Sequence, residues 1–67
     1  MRKRLELRLD VLDAAQTIRG VNAPGFDLHP LKGDHAGEWG ITVTRNYRIT
    51  FRFENGDALD VNLEDYH

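Results

Sequence analysis

The segment Tyr47-Arg48-Ile49-Thr50-Phe51-Arg52-Phe53, followed by Glu54-Asn55-Gly56 and then Asp57-Ala58-Leu59-Asp60-Val61-Asn62-Leu63, decides the fold. Residues 47–53 alternate strictly, with Tyr47, Ile49, Phe51 and Phe53 on one face and Arg48, Thr50 and Arg52 on the other, the period of a half-buried strand. Asn-Gly is a strong two-residue hairpin signal, because both positions of the favoured turn need positive φ. Residues 58–63 then read as the return strand, with Leu59, Val61 and Leu63 on its apolar face. Alternation of this kind belongs to an antiparallel sheet with one face on a core and the other in water.

Working upstream, Trp39-Gly40-Ile41-Thr42-Val43-Thr44 gives another strand with Trp39, Ile41 and Val43 inward, and Arg45-Asn46 bends the chain between the two. Residues 33–37 form a turn. Residues 26–32 form a short edge or irregular strand, because Pro30 cannot donate to a ladder. Residues 21–25 are a loop by their Asn, Pro and Gly content. The stretch Leu5-Glu6-Leu7-Arg8-Leu9-Asp10-Val11 alternates like a strand, yet its Leu, Glu, Arg and Ala content favours a helix running to about Ile18, stopped by Arg19-Gly20. On a helix Leu5, Leu9 and Leu12 form one stripe, and Leu7, Val11, Ala14 and Ile18 form another nearly opposite. A helix resting on one sheet needs one stripe. The second predicts a homodimer or swapped pair joined through Leu5, Leu9 and Leu12 or through Leu7, Val11 and Ile18. The expected architecture is α+β: an N-terminal helix packed on a three- to four-stranded antiparallel sheet, in a single domain over residues 1–67.

The chain has 67 residues, 40% of them apolar, with 9 Lys+Arg against 11 Asp+Glu and no cysteine. A domain this small buries only about 60% of the surface its unfolded chain exposes, so its stability margin is thin. Without cysteine it has neither disulfides nor a thiolate-bound zinc to staple it, and a cytoplasmic location is expected. Apolar runs never exceed two residues, which excludes a membrane-spanning helix in this stretch. The net charge of −2 opposes a large nucleic-acid footprint, yet Arg45, Arg48 and Arg52 sit on one central segment and leave room for a local basic face.

Individual motifs have plain readings as well as chemical ones. Lys32-Gly33 lacks the spacing of a phosphate loop, and His29, His35 and His67 with Asp34 and Asp65 show no metal-ligand spacing, so no metal or cofactor is expected. Strand arginines are most often a solvated face, and a terminal Asp65-Tyr66-His67 is most often frayed.

Taken together, however, Leu28-His29-Pro30-Leu31-Lys32-Gly33-Asp34, Trp39-Gly40-Ile41-Thr42-Val43, residues 46–53, Asn55-Gly56-Asp57-Ala58 and Glu64-Asp65-Tyr66-His67 resemble the HigB toxins of the RelE/ParE superfamily in order and spacing. Residues 2–20 resemble that family's second helix, so the likeness spans nearly the whole chain, and the N-terminal strand and helix usual in that family are not among these 67 residues, as expected of a shortened sequence, a misplaced start or a naturally reduced member. The resemblance implies the microbial RNase fold and a toxin of a type II toxin-antitoxin system. Its activity would be that of a ribosome-dependent mRNA endonuclease, its partner an antitoxin of the HigA helix-turn-helix type. It further implies that His29 and Lys32 approach the scissile phosphate, Asp65 orients His67, and Tyr66 holds the nucleotide.

The chemistry itself needs no metal, because RNA carries its own nucleophile, the 2′-hydroxyl, and cleavage asks only for in-line geometry, a base, an acid and positive charge. His67 is the best candidate for proton transfer. Arg48 is expected to contact the RNA backbone, with Arg45 and Arg52 beside it. The competing expectation is a catalytically silent module that keeps the toxin fold to bind an antitoxin or itself.

Overall fold

A computed structural model describes residues 1–65 of the chain. Helix α1 (Arg2–Ala14) is followed by a 3₁₀ turn (Ile18–Val21) and then by strands β1 (His29–Pro30), β2 (Trp39–Thr42), β3 (Tyr47–Glu54) and β4 (Asp57–Asp65). A second 3₁₀ turn (Gly33–His35) lies between β1 and β2. The strands form one sheet in the order β1-β2-β3-β4, every neighbouring pair antiparallel. This is the expected α+β architecture.

The aromatic and β-branched alternation of β3 does what its period demands. Ile49 and Phe51 are fully buried, and with Ile41, Val43, Leu12, Val21 and Phe26 they make the core between sheet and helix. Asn55 and Gly56 both have positive φ, at 52° and 83°, which suits the two-residue hairpin that joins β3 to β4. The turn also receives the chain that leaves α1: a Cβ on Gly56 would lie 3.2 Å from the Gln16 carbonyl oxygen.

Three local expectations change. First, α1 stops at Ala14, not near Ile18, and Ala15 is already extended. Leaving the helix early lets Ile18 and Val21 turn inward, and Val21, expected in a loop, has no exposed surface. Burial of these side chains outweighs the small per-residue gain from prolonging a helix. Second, β4 carries an irregularity: Thr50 pairs with Asn62 and Arg52 with Leu59, so Phe51 faces both Asp60 and Val61. Asp60, at φ 52°, takes up the extra residue, as a bulge requires. The bulge moves Leu59 to the face of Arg52, away from Val61 and Leu63. Third, neither apolar stripe of α1 is kept whole. Leu12 is buried, while Leu9 is 42% exposed and Leu7 54% exposed.

The face that α1 turns to the core runs instead through Leu5, Arg8 and Leu12, and Arg8 is only 7% exposed. Its Nε donates to the Thr42 carbonyl at 2.6 Å, and its two terminal nitrogens donate to the carbonyls of Arg4 at 3.1 Å and Gly25 at 3.4 Å. The guanidinium carbon also lies 4.4 Å from the centre of the Phe26 ring. One side chain thus joins the helix, the loop before β1 and the end of β2. Burial, and then the charge of Arg4, lower its proton affinity, but a guanidinium keeps its proton at any ordinary pH.

Replacing Arg8 with Leu keeps the bulk and strips these carbonyls of their donor. Urea unfolding of Arg8→Leu should show a loss of about 2 kcal/mol, the usual cost of leaving buried acceptors short of a charged donor. Arg8→Lys should recover only part of it, because an ammonium cannot reproduce the planar fork or its stacking. A Leu variant with an unchanged midpoint would reduce Arg8 to a spectator.

Candidate functional site

Strand register sorts the singled-out residues onto faces. His29 is opposite Gly40, Gly40 opposite Thr50, and Thr50 opposite Asn62, so one row crosses the whole sheet on the side away from α1. The next row is Thr42, Arg48 and Glu64. Arg52 and Leu59 follow Thr50 and Asn62 along the same face. This side is less polar than its arginines suggest, since Thr50 is 3% exposed and Leu31 is buried as well.

His29 is the best-defined functional group on this face. Its Nδ1 lies 2.7 Å from the Asp27 carbonyl oxygen. A carbonyl can only accept, so this contact favours the tautomer that carries its proton on Nδ1 and leaves Nε2 as an acceptor. That Nε2 lies over Gly40, where an added Cβ would come within 3.2 Å of it and of the Leu31 Cδ2. Gly40 is therefore a place where two side chains close over a strand, which is a known reason for glycine inside one. Sequence reading passed over Gly40, Thr50, Asn62 and Glu64. A glycine in an otherwise β-branched and aromatic strand was the available signal for the first; nothing local marked the others.

Lys32 is exposed and precedes the Gly33–His35 turn, just past β1. Arg48 is held by Glu64, its Nε donating to Oε1 at 2.6 Å and its terminal nitrogen lying 2.5 Å from the same oxygen. Both side chains keep about a quarter of their surface exposed. Arg52 donates to Glu54 at 2.5 Å, more openly. Arg45 is exposed in the bend between β2 and β3.

Asp65 ends β4 opposite Tyr47, on the outer strand farthest from His29 and, by alternation, on the side of Leu63. Two strands separate β1 from β4, roughly 14 Å of sheet at the usual spacing. The described residues thus place His29, Thr50 and Asn62 along one row that spans the sheet from β1 to β4, with Arg48 and Glu64 in the next row of the same face, while Asp65 lies on the opposite face of β4. Tyr66 and His67 lie outside the described residues. Among the described residues no group of three or more His, Cys, Asp or Glu has the arrangement of a metal site.

A cleft of about 260 Å³ lies elsewhere, between α1 and β4, lined by Leu9, Leu12, Asp13, Gly56, Asp57, Ala58 and Val61. It is on the helix side and holds none of the expected catalytic groups.

Because an added Cβ at Gly40 would press on the ring, Gly40→Ala should displace His29. The expected readout is a shifted His29 imidazole resonance with a stability loss of about 1–2 kcal/mol, the usual scale of overpacking. An unmoved resonance would mean that the ring has slack.

Comparison with known proteins now adds to this geometry. A family model described as the RelE-like toxin of the type II toxin-antitoxin system HigB matches residues 1–67. Over 64 residues the chain is 53% identical to the Endoribonuclease HigB of Proteus vulgaris, an alignment that covers 96% of this chain and 70% of that protein. Over 60 residues it is 33% identical to Toxin HigB-1 of Vibrio cholerae serotype O1, covering 88% of this chain and 63% of that one. With a sheet-and-helix fold consistent with such toxins and a family match along its whole length, the chain belongs to the HigB-like toxin family of type II toxin-antitoxin systems.

Proposed function

We propose that the chain is an endoribonuclease that cuts mRNA on the ribosome, in the cytoplasm, and is neutralised by a HigA-like helix-turn-helix antitoxin. The observation that carries this reading is the 53% identity to a protein named as an endoribonuclease. The bare Nε2 of His29 on an open face with Arg48 and Arg52 is compatible with it.

In this reading the ribose 2′ oxygen forms a bond to phosphorus while the bond from phosphorus to the 5′ oxygen breaks. The 2′-hydroxyl proton passes to a base and the departing 5′ oxygen takes one from an acid, leaving a 2′,3′-cyclic phosphate and a 5′-hydroxyl. His67 and His29 exchange the protons, Asp65 orients His67, Lys32 stabilises the growing charge, and Tyr66 holds the nucleotide. Arg48, Arg45 and Arg52 contact the backbone. The substrate supplies the nucleophile, so the step requires no metal.

The experiment is cleavage of an mRNA in a translating extract, with end mapping of the products. Cuts in translated message ending in a 2′,3′-cyclic phosphate, lost in His67→Ala and Lys32→Ala, are the expected result. Removing His67 alone should abolish cleavage with little change in stability. Cleavage retained by His67→Ala overturns the assignment of His67.

The exposed Leu7, Leu9 and Val61 favour a second reading, a silent module that binds an antitoxin or forms a homodimer through α1. Expression from a controlled promoter separates the two, because only a nuclease should arrest growth, and light scattering at micromolar concentration measures the self-association. A related test concerns Glu64. Its neutralisation in Glu64→Gln should cost less than about 1 kcal/mol of stability and should tighten retention of a single-stranded RNA with a steeper salt dependence. Unchanged binding would remove Arg48 from the RNA contacts.

A further inference from the structure

Asp27 is not glycine and yet has φ 51°. Aspartate tolerates the left-handed region better than most residues but still pays about 1 kcal/mol, so such a conformation persists where its surroundings over-determine it. They do here. Phe26, next to it, is buried with its ring beside the Arg8 guanidinium. The Phe26 N–H donates to Ala23 at 3.0 Å, and its carbonyl accepts from the Thr42 N–H at 2.7 Å. The Thr42 carbonyl in turn accepts from Arg8. With the chain pinned on its upstream side and paired to β2 from His29 onward, the left-handed turn at Asp27 sets where the Asp27 carbonyl points, and it points at the His29 Nδ1.

We propose that Asp27 is a positioning residue for His29: its main-chain carbonyl fixes the ring with the proton on Nδ1 and leaves Nε2, above Gly40, as the proton acceptor of the polar face. The side chain of a free histidine in water favours the Nε2–H tautomer, so a preference for Nδ1–H must come from this contact. Use of Nε2 as a base on RNA rests on the nuclease reading above; the tautomer does not. The side chain of Asp27 takes no part, and the conformation of its backbone carries the effect. Glycine can therefore replace it and a β-branched residue cannot.

The test is the ring-nitrogen spectrum of protein labelled with nitrogen-15, with His29 assigned by its loss in His29→Gln, at a pH where the imidazole is neutral. The expected result is a protonated Nδ1 and a bare Nε2 in the wild type and in Asp27→Gly. Asp27→Val should shift the population toward the Nε2–H form and lower single-turnover cleavage about tenfold or more with KM little changed. A wild-type ring protonated on Nε2 overturns the proposal. So does a folded Asp27→Val that keeps the wild-type tautomer. Should Asp27→Val fail to fold, the wild-type and Asp27→Gly spectra still decide, since the proposal fails if these two differ. The expected tautomer in a wild-type protein that cleaves no RNA upholds the positioning and overturns the nuclease reading, which keeps the two failures apart.

Discussion

A charged side chain sits where the core of this small domain meets its helix, and the arrangement of the other parts depends on it. Arg8 occupies the position on α1 that a leucine would ordinarily fill, between Leu5 and Leu12. Isolated charge is costly to bury, and the cost is offset here because the guanidinium fork meets three main-chain carbonyls and the face of Phe26. A leucine there would bury more apolar surface but could not reach across to Thr42 and Gly25. In a chain without disulfides, that reach ties the helix to the loop before β1 and to the middle of the sheet at once. The tie is directional, which apolar contact alone is not.

The same contact sets the geometry of the polar face. Thr42 is held on both sides, its carbonyl by Arg8 and its N–H by the Phe26 carbonyl, so the chain enters β1 at a fixed height above β2. Asp27 must then turn in the left-handed region to bring His29 opposite Gly40, and the absence of a side chain at Gly40 gives the imidazole room. Helix packing, loop conformation and the placement of a candidate catalytic ring are therefore one connected arrangement, and a change at Arg8 should be felt at His29 through main-chain atoms alone.

Much of this was legible in the residues, and the parts that were not have physical reasons. β3 and its hairpin could be read because every local preference agrees: aromatic and branched residues at period two, then Asn55-Gly56. The helix was harder because its buried face includes Arg8, so counting apolar residues yields two stripes where the structure has one. Asp60 hid a bulge inside what reads as regular alternation; an aspartate in a strand is compatible with one but also with a solvated position. Of the candidate site, His29 was singled out by its motif, through the family resemblance that the motif carries. Its partner could not be, since an acceptor on the main chain leaves no mark in the side-chain sequence. The Arg48–Glu64 pair depends on register across a bulge, which spacing alone does not give.

That pair bears on how such a surface would take up RNA. Arg48 and Arg52 are each held by a carboxylate, and the chain is net acidic, so a phosphate arriving from solution must compete with Glu64 or Glu54 for its cation. Exchanging one anion for another on a guanidinium gains little, and with few phosphates neutralised there is little counterion release to drive association. In the proposed role, recognition by this face alone would be weak, and the position of the RNA would have to be supplied from outside. A ribosome that already holds the message would supply it in that role: the local concentration would be high, the entropy of association spent in advance, and the exchange at Arg48 would need only to be close to neutral. On that proposal, a paired basic face would limit unproductive capture of free RNA while costing little where the substrate is presented.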